Sequence, residues 1–166
     1  MHETPDDLKA LQDLLDNSYG AAGDHLKSIH FGDNRLSAGE TCAQLKNVCI
    51  LDLATLTPSG APIVAPVDGL FLKGKFWFSS SHSSLRFRNI RNDARISAAH
   101  TIGEKLSFLV HGVAREIDPK GDQFSFLRDF CLEVYGPTFE DWGNWGEAPF
   151  AYIEPSKMFA TKLPSG

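Results

Sequence analysis

The stretch Leu53–Arg95 reads LATLTPSGAPIVAPVDGLFLKGKFWFSSSHSSLRFRNIRNDAR, and it decides the fold. Three apolar runs are separated by Pro58-Ser59-Gly60 and by Lys73-Gly74-Lys75, both turn-forming triplets. Five serines follow within residues 79–84, interrupted only by His82. Arg86, Arg88, Arg91 and Arg95 come immediately after them. The pattern predicts a β-meander that ends in hydroxyls, a helix start and a cluster of guanidiniums.

Working outward, Val48–Leu56 and Ala61–Val67 read as strands, and Leu70–Leu72 with Phe76–Ser79 as a hairpin around Lys-Gly-Lys. Ser83 or Ser84 caps a short helix over Leu85–Asn92. Ala94–Thr101 and Leu106–Ile117 read as two more strands, with Gly103 in the turn between them. A helix over Asp122–Tyr135 places Phe126, Phe130 and Val134 on one face, and Phe124 lies beside them. Phe150–Leu163 reads as a last strand broken by Pro155. The first third is helical. Thr4 or Asp6 caps a helix to about Tyr19, a short piece follows at His25–Phe31, and Ser37 with Glu40 has capping-box spacing for a helix to about Asn47.

The expected architecture is mainly β with peripheral helices, a six-stranded antiparallel barrel in a single domain, 1–166. Residues 1–47 form a helical N-terminal extension and 48–163 the barrel core. The length suits one domain with a sizeable core.

Net charge is −5, which argues against nucleic acid or an anionic membrane as partner. Residues 86–95 carry +3, leaving −8 for the rest, so the basic patch points to a small anionic ligand. Cys42, Cys49 and Cys131 are odd in number and lack a Cys-x-x-Cys pair, which argues against a disulfide framework or structural zinc. The acidic, amphipathic N-terminus does not read as a secretory leader, and no run reaches the ~18–20 apolar residues of a membrane helix. The expected location is cytoplasmic.

A phosphate needs several converging donors. Serine hydroxyls, the free amides of a helix N-terminus and a guanidinium supply them together. Arg86 stands two residues past the cap, at the positive end of the helix dipole, a poor place for a cation without an anion. Arg88, Arg91 and Arg95 recur at helical spacing and read as scaffold or solvated surface.

These elements, in this order, resemble the FMN-binding split β-barrel family, the group related to pyridoxamine 5′-phosphate oxidase. The resemblance rests on Leu53–Gly60, Pro62–Val67, Phe76–Ser81, Ser84-Leu85-Arg86 and the run Asn89 to Arg95. It covers roughly 48–117, with an echo in Ala151–Lys162. It implies a flavin in a groove at a homodimer interface. The strand Ala65-Pro66-Val67-Asp68 would run beside the isoalloxazine ring. Ser79, Ser80, Ser81, Ser84 and Arg86, with Leu85 among them, would hold ribityl and phosphate oxygens. The chain departs from the namesake oxidase by lacking a C-terminal Arg-x-His element and by carrying Ala65 and Leu70 where that enzyme has basic residues. Pyridoxamine phosphate oxidation is therefore not expected.

The implied function is an FMN-dependent oxidoreductase with a small-molecule substrate and an electron donor, and with no catalytic side chain assigned, since the cofactor carries the chemistry. A first alternative is a reductase using the deazaflavin coenzyme F-420, whose longer acidic tail calls for more basic residues. A second is a flavin- or haem-binding carrier or sensor without turnover. His25 and His30 do not share a helix face, and His82, His100 and His111 read as packing or hydrogen-bond partners. No metal site is expected. Trp142 and Trp145, in a glycine-rich loop, can wall a flat ligand from the partner chain or cap the barrel mouth.

Overall fold

The computed structural model describes residues 2–29, 34–137, 139 and 148–162. Three helices come first: α1 (Pro5–Gly20), α2 (Asp24–Ile29) and α3 (Ala38–Gln44). Thr4 caps α1 and Ser37 caps α3, each in a reciprocal capping box, with Asp7 and Glu40 respectively. The barrel strands are β1 (Cys49–Leu56), β2 (Pro62–Leu72), β3 (Lys75–Ser79), β4 (Arg95–Ile102), β5 (Leu106–Ile117) and β6 (Phe150–Lys162). Helix α4 (Leu85–Asn92) sits between β3 and β4, and a 3₁₀ turn leads into α5 (Ser125–Tyr135).

The strands close in the order β1-β2-β3-β6-β5-β4, every pair antiparallel. Alternation selects the inside. Cys49, Leu51 and Leu53 of β1 are buried with Phe71, Phe76, Phe78, Phe108, Val110 and Ile153. The expected break between Ala61–Val67 and Leu70–Leu72 is absent, because β2 is one strand. Gly69 pairs with Cys49 on one side and Phe78 on the other, and a Cβ there would collide with the Leu51 side chain. Pro155 does not break β6 either. A bulge absorbs it: His111 pairs with Lys157 and Gly112 with Pro155, so Ser156 is the extra residue. The predicted helix over 122–135 begins as the 3₁₀ turn Asp122–Phe124.

β3 is only five residues long, which splits the barrel. It reaches β2 over Gly69–Leu72 and β6 over Phe150–Tyr152. The rest of β6 therefore has an edge without a strand partner, and α1 covers it. Met158 N donates to Ser18 Oγ at 2.9 Å, and Ala160 N to the Tyr19 hydroxyl at 3.1 Å. That hydroxyl lies 2.9 Å from Ala160 O, which also accepts from Leu36 N at 2.9 Å. Leu11 and Leu15 enter the same core as the barrel interior. A second apolar cluster lies outside the barrel, where Leu70, Leu72 and Trp77 meet Leu127, Phe130 and Cys131.

Candidate functional site: the cleft between β2 and α4

The other open edge belongs to β2, over Pro62–Asp68, where among the described residues only β1 pairs with it. Two prolines, Pro62 and Pro66, stand in this segment, and they have no N–H to leave unsatisfied. Helix α4 lies against this end of the barrel. Ser84 caps it, its Oγ accepting from Phe87 N at 3.3 Å. Phe87 and Ile90 are buried beneath it, and Asn89 Nδ2 donates to Thr55 Oγ1 at 3.0 Å. Held this way, α4 sends Arg86 across to the open edge, where Nη2 donates to Pro66 O at 2.9 Å.

Arg86 is half-buried, and burial pulls its pKa below the ordinary guanidinium value. Among the described residues the group that answers it is a neutral carbonyl, not a carboxylate. A partly desolvated cation with spare donors is a poor end state unless an anion completes it. Beside it opens a cleft of about 170 Å³, lined by Leu53, Thr55, Ile63, Ala65, Ser84, Leu85 and Arg86.

Four of the residues singled out in the sequence therefore meet in one place: Ala65, Ser84, Leu85 and Arg86. Pro66 adds its carbonyl. Val67 packs against the barrel core, and Asp68 is exposed on the outer face. Ser79 is committed elsewhere, its hydroxyl donating to Pro149 O at 3.0 Å where β3 meets β6. The Ser80 hydroxyl makes no hydrogen bond among the described residues. Ser81 and Ser83 lie 3.0 Å apart, hydroxyl to hydroxyl, and shape the loop before the cap. Trp142 and Trp145 lie outside the described residues. Leu53, Thr55, Ile63 and Asn89 lie in the segments that carry the resemblance, but the sequence assigned them no role in the site. The alternation of β1, with Leu53 and Thr55 on the inward face, was the available signal.

The other arginines divide. Arg91 is bidentate to Glu116, with Nη2 to Oε1 at 2.6 Å and Nε to Oε2 at 2.9 Å. It also donates to His82 O at 3.0 Å, tying the serine loop to β5. Arg95 pairs with Asp93. The Arg88 guanidinium makes no hydrogen bond or ion pair among the described residues. The histidines act as hydrogen-bond partners: His100 Nδ1 lies 2.9 Å from Ile50 O, and His111 Nδ1 lies 2.8 Å from Ser97 Oγ. That last pair faces a wider groove of about 630 Å³ on the outer face, at the β6 bulge. Among the described residues no cluster of three or more His, Cys, Asp or Glu can hold a metal ion. The three thiols are buried and pushed up to about 12 by desolvation, which leaves them inert. Among the described residues no helix is long and apolar enough to cross a membrane.

Solved structures resemble this arrangement closely enough to settle the architecture. A conserved hypothetical protein of Mycobacterium tuberculosis superposes with a TM-score of 0.67 at 18% identity, covering 82% of this chain and 94% of that one. This is the split-barrel fold. An F-420 reductase shares it with a TM-score of 0.56 at 18% identity, over 70% of this chain and 94% of the reductase. A protein of unknown function from Agrobacterium tumefaciens shares it at 0.58 and 21% identity, over 70% of this chain. The chain spans only 52% of that protein's length. A protein described as FAD-binding and haem-binding proteins also have the split-barrel fold. No family model and no curated protein matches the sequence. The likeness is one of fold.

Proposed function

We propose that this protein binds FMN at the β2–α4 cleft and works as a flavin-dependent oxidoreductase. One observation carries the reading: a half-buried Arg86 beside a serine-capped helix start, answered among the described residues only by a carbonyl. That donor set fits a phosphate. Arg86 and the free amides at the start of α4 would hold the phosphate, with the hydroxyls of Ser80 and Ser84 beside it. Leu53, Ile63 and Ala65 line the cleft with apolar surface. The open edge of β2 supplies strand backbone against which a flat ring can be oriented. FMN itself, when bound, supplies the hydride-transfer chemistry.

The supply of cations favours FMN over the deazaflavin coenzyme. Arg91 and Arg95 are spent on Glu116 and Asp93, which leaves Arg86 and Arg88 at this end of the barrel. Of the two, Arg86 lines the cleft, and one guanidinium suits one phosphate better than a long acidic tail. The visible absorption spectrum of the purified protein separates the cofactors, since flavin, deazaflavin and haem differ in colour. A flavin spectrum that bleaches on addition of NAD(P)H and recovers with an acceptor supports the oxidoreductase. A haem or deazaflavin spectrum, or a flavin that never turns over, replaces it with the corresponding alternative.

A further inference from the structure

Asn89 and Thr55 form a buried polar contact between α4 and the barrel, with 1% and 4% of their surface exposed. Beside it, Phe87 and Ile90 anchor α4 by apolar packing in the barrel core. Apolar contact has no preferred direction, so it tolerates a roll of the helix about its own axis. The hydrogen bond from Asn89 Nδ2 to Thr55 Oγ1, at 3.0 Å, does not. At the ~6 Å outer radius of a helix, a roll of about 20° shifts a side chain by about 2 Å. That is enough to part the 2.9 Å bond between Arg86 and Pro66. Arg91 tethers the far end of α4 at the surface, through its long side chain to Glu116, the pair 41% and 30% exposed, and to the His82 carbonyl of the serine loop.

A buried amide–hydroxyl pair is a poor choice for stability alone, since two apolar side chains of the same shape serve about as well. Its place explains it better. Thr55 lines the cleft together with Arg86, and Asn89 follows Arg86 by three residues, its neighbour on the helix surface. We infer that Asn89 and Thr55 are positioning residues for the anion cleft. Their bond sets the rotation of α4 that brings Arg86 and Ser84 to the open edge of β2. The inference rests on the phosphate reading of that cleft.

Thr55→Val, Asn89→Leu and the double variant test it, with Tm and FMN affinity by fluorescence quenching measured for each. Each single variant strands one buried polar group and should lower Tm. The double variant should regain most of the wild-type Tm, yet all three should bind FMN at least tenfold more weakly. Recovery of affinity together with Tm in the double variant overturns the inference, as does unchanged affinity in all three. Absence of FMN binding by the wild type is a failure of the phosphate reading instead. In that case the NMR resonance of the Arg86 Nε–H, assigned by its loss in Arg86→Lys, decides. A shift in the double variant supports the positioning role, and an unmoved resonance overturns it.

Discussion

At Gly112 the backbone of β5 meets the backbone of β6, and an added Cβ would collide with the Glu154 carbonyl. The obstacle is main chain at a bulge, so it cannot swing aside. Gly112→Ala should cost about 3 kcal/mol or more by urea denaturation, the upper end of overpacking. Gly39, inside α3 with open space around it, is the control, and Gly39→Ala should be neutral or stabilising by about 0.5–1 kcal/mol. Glu40, next to it, carries a pH dependence. The Ser37 backbone N–H, the Lys162 ammonium and the Ser37 hydroxyl together hold its carboxyl down to about 2, from an ordinary 4.5. Its contribution to stability is therefore complete above pH 4.5 and lost as pH falls towards 2. Over that window the wild-type Tm should fall more steeply than that of Glu40→Gln. At this scale Ser84 and Arg86 were legible because cap and cation are two residues apart. The role of Ser79 was not, since its hydroxyl bonds Pro149, 70 residues away.

Among the elements, α1 does a job that its own sequence only half announces. Its apolar face, with Leu11 and Leu15, was readable from periodicity. Its hydroxyls were not, because their targets exist only once β3 proves too short to pair with the whole of β6. Ser18 and Tyr19 then stand in for the missing strand. Tyr19→Phe leaves the Ala160 N–H buried without its acceptor and should cost about 1–3 kcal/mol in chemical denaturation. A loss below a few tenths would mean that water or another acceptor replaces the hydroxyl with ease. The split of β2 into two strands was expected for a similar reason. The apolar runs part at Asp68-Gly69, and only the Leu51 side chain packed over Gly69 shows why glycine stands in a continuous strand.

For the whole molecule, the alternating β runs and tight turns were enough to give an antiparallel barrel, whereas strand order and closure depend on contacts across the full chain. The outer face of β1 and β2 leaves Ile50 and Val64 exposed, at 52% and 63%. The resemblance implies a homodimer, and we propose that these two side chains lie in its interface. Light scattering at micromolar concentration should give twice the chain mass, and Val64→Lys should shift it towards the monomer. The central claim, however, is that the β2–α4 cleft holds the phosphate of FMN, and Arg86 decides it. Fluorescence-quenching titration of the apo-protein with FMN should show Arg86→Ala weaker than wild type by about one to two decades, the loss of a charge-assisted hydrogen bond of roughly 1.5–3 kcal/mol. Arg95→Ala, which removes only the surface pair with Asp93, should bind like wild type. Equal affinity of Arg86→Ala and wild type would contradict the account.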